Sequence, residues 1–387
     1  MSFSKINFFI VDHTPIGGVQ RVSCSLIDLF LQNGIDVDYL ISQRNNYEKP
    51  NFPYSDKVKY INLNCSTKDL EKRLYEQFVK LKIKNLIFSG DNMSVSIALL
   101  KAAKSAGVKA IPQYHGSPHA YLDKYISFND ILNKPILFFK YAIAKIFRPF
   151  KILKLKKYLL LAEHGLACVS KGSAEEIKKI YKNSPRITKN VFTIYNPSHI
   201  DIDSISCDVA AKKKKIVYLS RLEDKHKNSF LIVKSWNEIA YKYPDWELHI
   251  LGDGSISDKM KDYVIKKKIN NVVFHGMVTD IATHLSSSKI SILSSNCEGL
   301  PTSIVESICY RNAIISTMSN GGIIDLVENE ISGLLVPRND HKAFGRSMER
   351  LMTNDALRNQ YIEESYKVLQ KFTNEKIVLQ WKERFNL

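Results

Sequence analysis

Two carboxylates, Glu298 and Glu306, stand on either side of a tight turn and an expected helix start. The stretch reads Ser-Ser-Asn-Cys-Glu298-Gly-Leu-Pro301-Thr-Ser-Ile-Val-Glu306-Ser over 294–307, behind the strand-like run Ile290-Ser-Ile-Leu293. Pro301 suits the first position of a helix, where its missing N–H would have had no intrahelical partner. Loops at the carboxyl ends of strands are where open α/β sheets bind ligands. The free N–H groups between Gly299 and Ser303, those of Leu300 and Thr302 included, form an anion site at the helix start. A carboxylate beside an anion site suits a ligand that carries neutral hydroxyls next to phosphate, as a sugar diphosphate does. A solvent-exposed capping loop with a surface glutamate is the competing reading of the stretch taken alone.

A second cluster supplies cations. Arg221 follows the strand-like run Ile216-Val-Tyr-Leu219, and Lys227 comes six residues later, before a helix expected over 228–243. Two cations at that spacing on one loop can clamp a diphosphate, Arg as a fork and Lys as a point charge. Lys225 competes with Lys227 for the role. His115 follows a strand pattern at 108–113 and precedes Gly116, which puts it on a loop; His119 is a weaker candidate, since a lone His is more often structural. Gly17-Gly18 follows the first strand, Gly252 ends a strand at 246–251, and Val278 lies just past the strand-like Val272-Val-Phe-His-Gly276.

In this company the Glu-x7-Glu spacing carries more weight. With Ala313-Ile-Ile-Ser-Thr317, Gly321-Gly322 and the segment from Val327 to Val336, the chain resembles glycosyltransferase family 4, the retaining GT-B type. The resemblance is dense from about 215 to 340 and thinner before, and points to bacterial lipopolysaccharide or capsule members. It implies two doubly wound Rossmann-like domains facing across a cleft. Glu298 would meet the donor sugar hydroxyls and Glu306 the ribose hydroxyls. Arg221 and Lys227 would stabilise the leaving diphosphate, and His115 would touch donor or acceptor sugar. Gly17 and Gly18 would line the acceptor and phosphate side. Gly252, Val278 and the run Gly299-Leu300-Pro301-Thr302 would hold the donor nucleotide sugar, with UDP the expected carrier. The implied reaction moves a hexose or N-acetylhexosamine to a lipid-linked or surface-glycan acceptor. A non-catalytic relative that only holds a nucleotide sugar or glycan is the alternative.

These groups need elements to position them. A buried-strand pattern at 5–11, an amphipathic helix to about Asn33, Gly34, and a strand at 37–42 make a βαβ start. It lacks Gly-x-Gly-x-x-Gly, so it is not the dinucleotide fingerprint. Strand patterns at 86–89, 166–170 and 191–194 and helical ones at 95–106 and 171–181 extend the first domain, expected over 1–200. The second domain is expected over 201–371, and the tail at 372–387, with Trp381, should dock back on the first.

Lys plus Arg exceeds Asp plus Glu by 56 − 39 = 17, so the partners should be anionic. The 131–162 segment concentrates this charge: eight Lys or Arg, no acid, and interleaved aromatics such as Phe147 and Phe150. A basic amphipathic helix of this kind fits an anionic membrane surface, and a solvated cover of the first domain is the plainer alternative. No nucleic-acid motif occurs, so no nucleic-acid partner is expected. No apolar run is long enough to span a bilayer and no signal peptide opens the chain. Six scattered cysteines fit a reducing compartment, and Cys297 reads as packing. A cytoplasmic protein, peripheral on the inner face of the cytoplasmic membrane, is the resulting expectation. Asp201-Ile-Asp203 imitates a metal-binding pair but sits in a linker, so neither metal nor cofactor is expected.

Overall fold

The computed structural model describes residues 5–12, 18–44, 55–122, 135–197, 205 and 207–387, and at 135–141, 144 and 320 the backbone alone. Gly17, Asp201, Asp203 and the start of the 131–162 segment therefore lie outside the described residues. The chain forms two compact units. One comprises Met1–Pro118, Ile146–His199 and Phe372–Leu387, the other His119–Lys145 and Ile200–Lys371. The division thus differs from a plain cut near 200, since His119–Lys145 groups with the second unit.

The first unit is built on seven strands: β1 (Asn7–Asp12), β2 (Tyr39–Arg44), β3 (Lys59–Asn62), β4 (Asn85–Ser89), β5 (Lys109–Tyr114), β6 (Leu166–Cys168) and β7 (Val191–Thr193). Their order is β3-β2-β1-β4-β5-β6-β7, and every pair is parallel. Strands buried on both faces carry near-continuous apolar runs, which Asn7-Phe-Phe-Ile-Val supplies in β1. The Met93–Ala106 helix starts at Asn92, whose side chain accepts from the N–H groups of Ser94 and Val95. It ends at Gly107, left-handed at φ 68°. The last helix, Asn374–Phe385, closes this unit's core: Ile377, Val378, Trp381 and Phe385 share one apolar cluster with Ile6, Phe8 and Phe30.

The second unit has a six-stranded parallel sheet of β8 (Lys213–Leu219), β9 (Glu247–Leu251), β10 (Val272–Gly276), β11 (Ser288–Leu293), β13 (Ala313–Thr317) and β15 (Leu334–Val336). The order is β10-β9-β8-β11-β13-β15. A two-residue pair, β12 (Cys297–Glu298) with β14 (Asn320–Gly321), lies beyond it. Tyr218, Trp236, Leu248, Ile292, Phe344 and Tyr361 belong to the main core cluster of this unit. In this order the chain winds outward from β8 to β10, then returns to place β11 on the other side of β8. The β8/β11 boundary is therefore the topological switch point, where the loops leaving the two strands diverge and open a crevice.

Two local expectations change. The helix expected over 228–243 is Phe230–Asn237 followed by a short turn of 3-10 helix, Ala240–Lys242. Pro244 disfavours helical backbone at Tyr243, and the tighter turn keeps Ile239 and Ala240 buried. Pro301 is the cap before the Thr302–Cys309 helix, not its first residue; its extended backbone, ψ 97°, joins the turn to the helix.

Candidate functional site

The loops that leave β8 and β11 at the switch point are tied to each other. The Asn296 N–H donates to the His226 carbonyl at 2.8 Å, and the Asn296 side-chain amide to the Lys225 carbonyl at 3.2 Å. The Ser294 hydroxyl donates to the Lys227 carbonyl at 2.8 Å. Beneath them the wholly buried Tyr218 donates its phenol to Ser229 Oγ at 2.9 Å and receives the Ser294 hydroxyl at 3.2 Å. Burial raises the Tyr218 pKa above its ordinary value, so the phenol stays a donor. Ser229 in turn accepts the Glu223 N–H at 3.1 Å, fixing the loop's start.

This lattice sets Lys227 against Glu298. Lys227 Nζ lies 2.6 Å from Glu298 Oε1, and the Ser295 hydroxyl donates to the same oxygen at 2.5 Å. Exposure is 26% for the lysine side chain and 11% for the glutamate, so the pair is largely shielded from water. Burial pulls the Lys227 pKa down, but the charge and hydrogen bond of Glu298 outweigh it and leave the pKa raised. The backbone of Glu298 is held by β14, with its carbonyl accepting the Gly322 N–H at 3.2 Å. The Gly299–Pro301 turn then delivers the chain to the Thr302–Cys309 helix, which carries Glu306, only 4% exposed. Leu300 and Pro301 are buried and Thr302 half-buried.

Arg221 differs from Lys227. Its side chain is 68% exposed and forms an ion pair with Glu223 at 3.0 Å. It still lies near enough for its charge to oppose that of Lys227. Lys225 is exposed and contributes its carbonyl, which accepts from the Asn296 amide. The expected clamp thus consists of one shielded lysine, held by a carboxylate, and one exposed arginine.

Gly252 has a reason of its own. Its φ is +128°, and a Cβ there would drive into the Ser220 carbonyl oxygen. The β9 loop packs backbone to backbone against the β8 loop: Leu222 N–H donates to the Asp253 carbonyl at 2.9 Å. The glycine therefore serves the close approach of two site loops. Val278 is half-buried and packs against the small cluster of Val217, Leu251 and Leu285.

The first unit keeps its own candidate separately. His115 sits after β5, at the sheet end where β4 delivers Asp91, and its backbone N–H donates to Asp91 Oδ1 at 3.0 Å. Its ring Nε2 is buried without a hydrogen-bond partner among the described residues. Surrounding protein lowers the imidazole pKa against a smaller upward pull from Asp91, so the ring is neutral near pH 7. Gly18 opens the Gly18–Gln32 helix after β1, with open space where a Cβ would be. His119 lies in a short helical segment, Pro118–Leu122.

Sequence reasoning missed Lys212, which reads as part of a basic linker. It is 4% exposed, and its ammonium donates to the carbonyls of Leu285, Ser286 and Ser288 at 2.8–3.1 Å. It also missed the Tyr218–Ser229–Ser294 scaffold, whose hydroxyls are 76 residues apart between Tyr218 and Ser294. No local signal announces either, because the partners are distant in the chain.

Comparison with known proteins decides the class. Residues 202–368 match the family model Glycosyl transferases group 1, a span that contains the whole switch-point site. The chain is a GT-B glycosyltransferase. An "Uncharacterized glycosyltransferase" of Haemophilus influenzae is 26% identical to it over 388 residues, covering 98% of this chain and 99% of that one. A Campylobacter jejuni relative is 27% identical over 198 residues, covering 51% and 54% of the two chains. It is named GalNAc-alpha-(1->4)-GalNAc-alpha-(1->3)-diNAcBac-PP-undecaprenol alpha-1,4-N-acetyl-D-galactosaminyltransferase. Among solved structures, S. aureus TarM in complex with Fondaparinux, alpha-GlcNAc-glycerol and UDP superposes with TM-score 0.75 at 13% identity, covering 99% and 100% of the chains. Anabaena Alr3699/HepE in complex with UDP gives TM-score 0.71 at 14% identity, covering 99% of each. Both share the fold of this glycosyltransferase, with two parallel-sheet α/β units.

Proposed function

We propose that this glycosyltransferase transfers a hexose or N-acetylhexosamine from a UDP-sugar, with retention of configuration, to a lipid-linked or surface-glycan acceptor in polysaccharide biosynthesis. The observation that carries the reading is the shielded Lys227–Glu298 pair at the β8/β11 switch point, beside the start of the Thr302–Cys309 helix. As the bond from the sugar to the diphosphate breaks, negative charge grows on the leaving phosphate. Lys227, Arg221 and the N–H groups at the helix start would stabilise that charge, and such terms are often the largest in catalysis. Glu298, held by Lys227 and Ser295, would accept from sugar hydroxyls, and Glu306 from the ribose. The two carboxylates are not proposed as the flanking pair of a glycosidase. The UDP bound in the TarM and HepE structures and the undecaprenol-linked glycan in the Campylobacter relative's name support the donor and acceptor classes. The test is release of UDP from a panel of UDP-sugars with and without lipid-linked acceptors. Glu298→Gln should lose at least a hundredfold in turnover, and a Glu298→Gln variant as fast as wild type would overturn the assignment.

The reaction is proposed to run without a metal ion, because the cations of Lys227 and Arg221 can take the role a divalent ion plays on a diphosphate. Activity should then survive excess EDTA and the double change Asp201→Ala, Asp203→Ala.

The Pro135–Leu161 helix is proposed to dock on an anionic membrane at the inner face of the cytoplasmic membrane, where a lipid-linked acceptor would lie. Among the described residues no helix is long and apolar enough to cross a membrane. Ile146, Phe147, Phe150 and Leu153 are each more than half exposed, and their spacing of about one helical turn puts them on one face. Lys145, Lys154, Lys156 and Lys157 are exposed on the same helix. Apolar insertion and about 1 kcal/mol per basic residue near an anionic leaflet would add together. Co-sedimentation with anionic vesicles should be strong at low salt and lost in Phe147→Ser, Phe150→Ser. Wild type left in the supernatant at low salt would refute the docking.

A further inference from the structure

At the β9/β10 edge of the second sheet, away from the switch point, three histidines converge. His249 is buried in the middle of β9, His275 lies at the end of β10, and His284 is on the Ile281–Ser287 helix. The sequence separates them by 26 and 9 residues, and no motif joins them. The fold does, because the parallel register sets β9 beside β10 and the helix covers the same face. His275 is the extra residue where the β9–β10 register shifts between Phe274 and Gly276. Bulges of this kind re-aim a side chain and recur at functional positions.

We propose that His249, His275 and His284 bind one zinc-class divalent cation. One ligand nitrogen from each ring lies within 4.8 Å of the other two. His249 Nδ1 and His275 Nε2 are 2.9 Å apart. The His275 and His284 rings meet edge to face with centroids 4.4 Å apart. Zinc–imidazole bonds of about 2.0–2.1 Å in a tetrahedron require nitrogens about 3.4 Å apart. The first pair opens by about half an ångström and the others start within 4.8 Å, a range that small rotations about the side-chain bonds can span. His249 Nε2 bonds Glu247 Oε2 at 2.9 Å, so the carboxylate holds the proton on Nε2 and leaves the Nδ1 lone pair turned toward the other rings. A carboxylate on the outer nitrogen is the usual support of a metal-bound histidine. Without metal, His275 Nε2–H donates to His249 Nδ1; with metal, neutral His275 carries its proton on Nδ1 instead, so the exchange needs no net proton loss. Both His275 and His284 are half-exposed, which gives the ion a route in and leaves the fourth position to water.

Bound there, the ion would pin the Ile281–Ser287 helix to the outer strands of the sheet. The site shares no residue with the proposed transfer machinery, so it does not depend on that reading. The test uses the full chain, stripped with EDTA and titrated with Zn²⁺ by calorimetry and with Co²⁺ by visible d–d absorption. The expected result is one equivalent bound, a tetrahedral cobalt spectrum and a higher melting temperature with zinc. His284→Ala, on a half-exposed helix position, should remain folded by circular dichroism and lose the cobalt spectrum. Glu247→Gln should keep the stoichiometry and weaken binding by about 10–100-fold. Binding well below one equivalent, or a cobalt spectrum unchanged in His284→Ala and in His249→Ala, would overturn the proposal and leave the rings as a hydrogen-bonded stack.

Discussion

Replacing Lys227 by Met tests stability and chemistry in one variant. The ammonium and carboxylate stand 2.6 Å apart, worth about 6 kcal/mol of gross attraction at an effective dielectric of about 20. Desolvation of both groups consumes most of that, and the useful figure is the cost of stranding one partner. For a fully buried pair this is about 3–5 kcal/mol. Lys227 is a quarter exposed, so water can reach the stranded Glu298, and the Ser295 hydroxyl still donates to it. We expect about 2 kcal/mol of lost stability, read as a lower denaturant midpoint at unchanged slope. Adding Glu298→Gln should recover part of it, because a neutral amide no longer needs a cation; the double-mutant cycle should give a coupling of about 1–2 kcal/mol. Turnover behaves differently. Losing a charge-assisted contact to the developing phosphate costs about 2.7–4 kcal/mol in the transition state, roughly 100- to 1,000-fold. That loss should persist in the double variant. A Lys227→Met protein with wild-type midpoint and wild-type UDP release would refute both the energetic and the chemical argument; restored turnover in the double variant would refute the second alone.

Arg221→Ala should leave the denaturant midpoint within about 0.5 kcal/mol of wild type, as expected for an exposed ion pair, while lowering turnover at least tenfold; Lys225→Ala should change neither, and the reverse ranking would shift the phosphate contact to Lys225. Gly252→Ala should cost about 3 kcal/mol or more, since it combines a left-handed backbone with a clash against the Ser220 carbonyl, and a folded variant of normal midpoint would contradict the described packing. Burial brings the Lys212 pKa down to about 8 from 10.5. Between those values the unfolded chain holds a proton that the folded chain has released, so this group makes stability rise with pH across that window and adds no slope below it. Lys212→Met should remove that rise and cost about 1–2 kcal/mol at pH 7, because the Ser286 carbonyl loses its donor, whereas Asn312 still serves Leu285 and Ser288; equal pH profiles for the two proteins would refute the assignment.

The readable parts of this site are those whose chemistry is local. Glu298, the Gly-Leu-Pro turn and Glu306 lie in one run, so strand, loop and helix start could be inferred together, and the structure assembles them that way. Lys227 could be named but its partner could not, since 71 residues separate it from Glu298. The sequence made Arg221 and Lys227 equals; only packing separates an exposed fork from a shielded point charge. Gly252 was legible as a special glycine, but a glycine that lets two backbones touch and one that faces a ligand look alike in a sequence. The helix over 228–243 was overextended because an amphipathic pattern continues through Ile239 and Ala240, which stay buried in a tighter turn. Lys212 was invisible for the same reason as the three histidines: its surroundings come from residues far along the chain.

The Asn374–Phe385 helix has a consequence for how the protein is made. The first unit's sheet is complete with β7 at Thr193, yet Ile377, Val378, Trp381 and Phe385 belong to its apolar cluster. A ribosome adding about 5–20 residues per second needs on the order of 10–40 s to get from one point to the other. Throughout that interval the seat of Trp381, lined by Ile6, Phe8 and Phe30 among others, lacks the helix that covers it, while the rest of the second unit emerges. The unit begun first is therefore finished last. A nascent chain in this state would expose that apolar surface to chaperones and to its neighbours on the polysome, and a stop codon before 374 would harm the amino-terminal half rather than the part of the chain next to the cut.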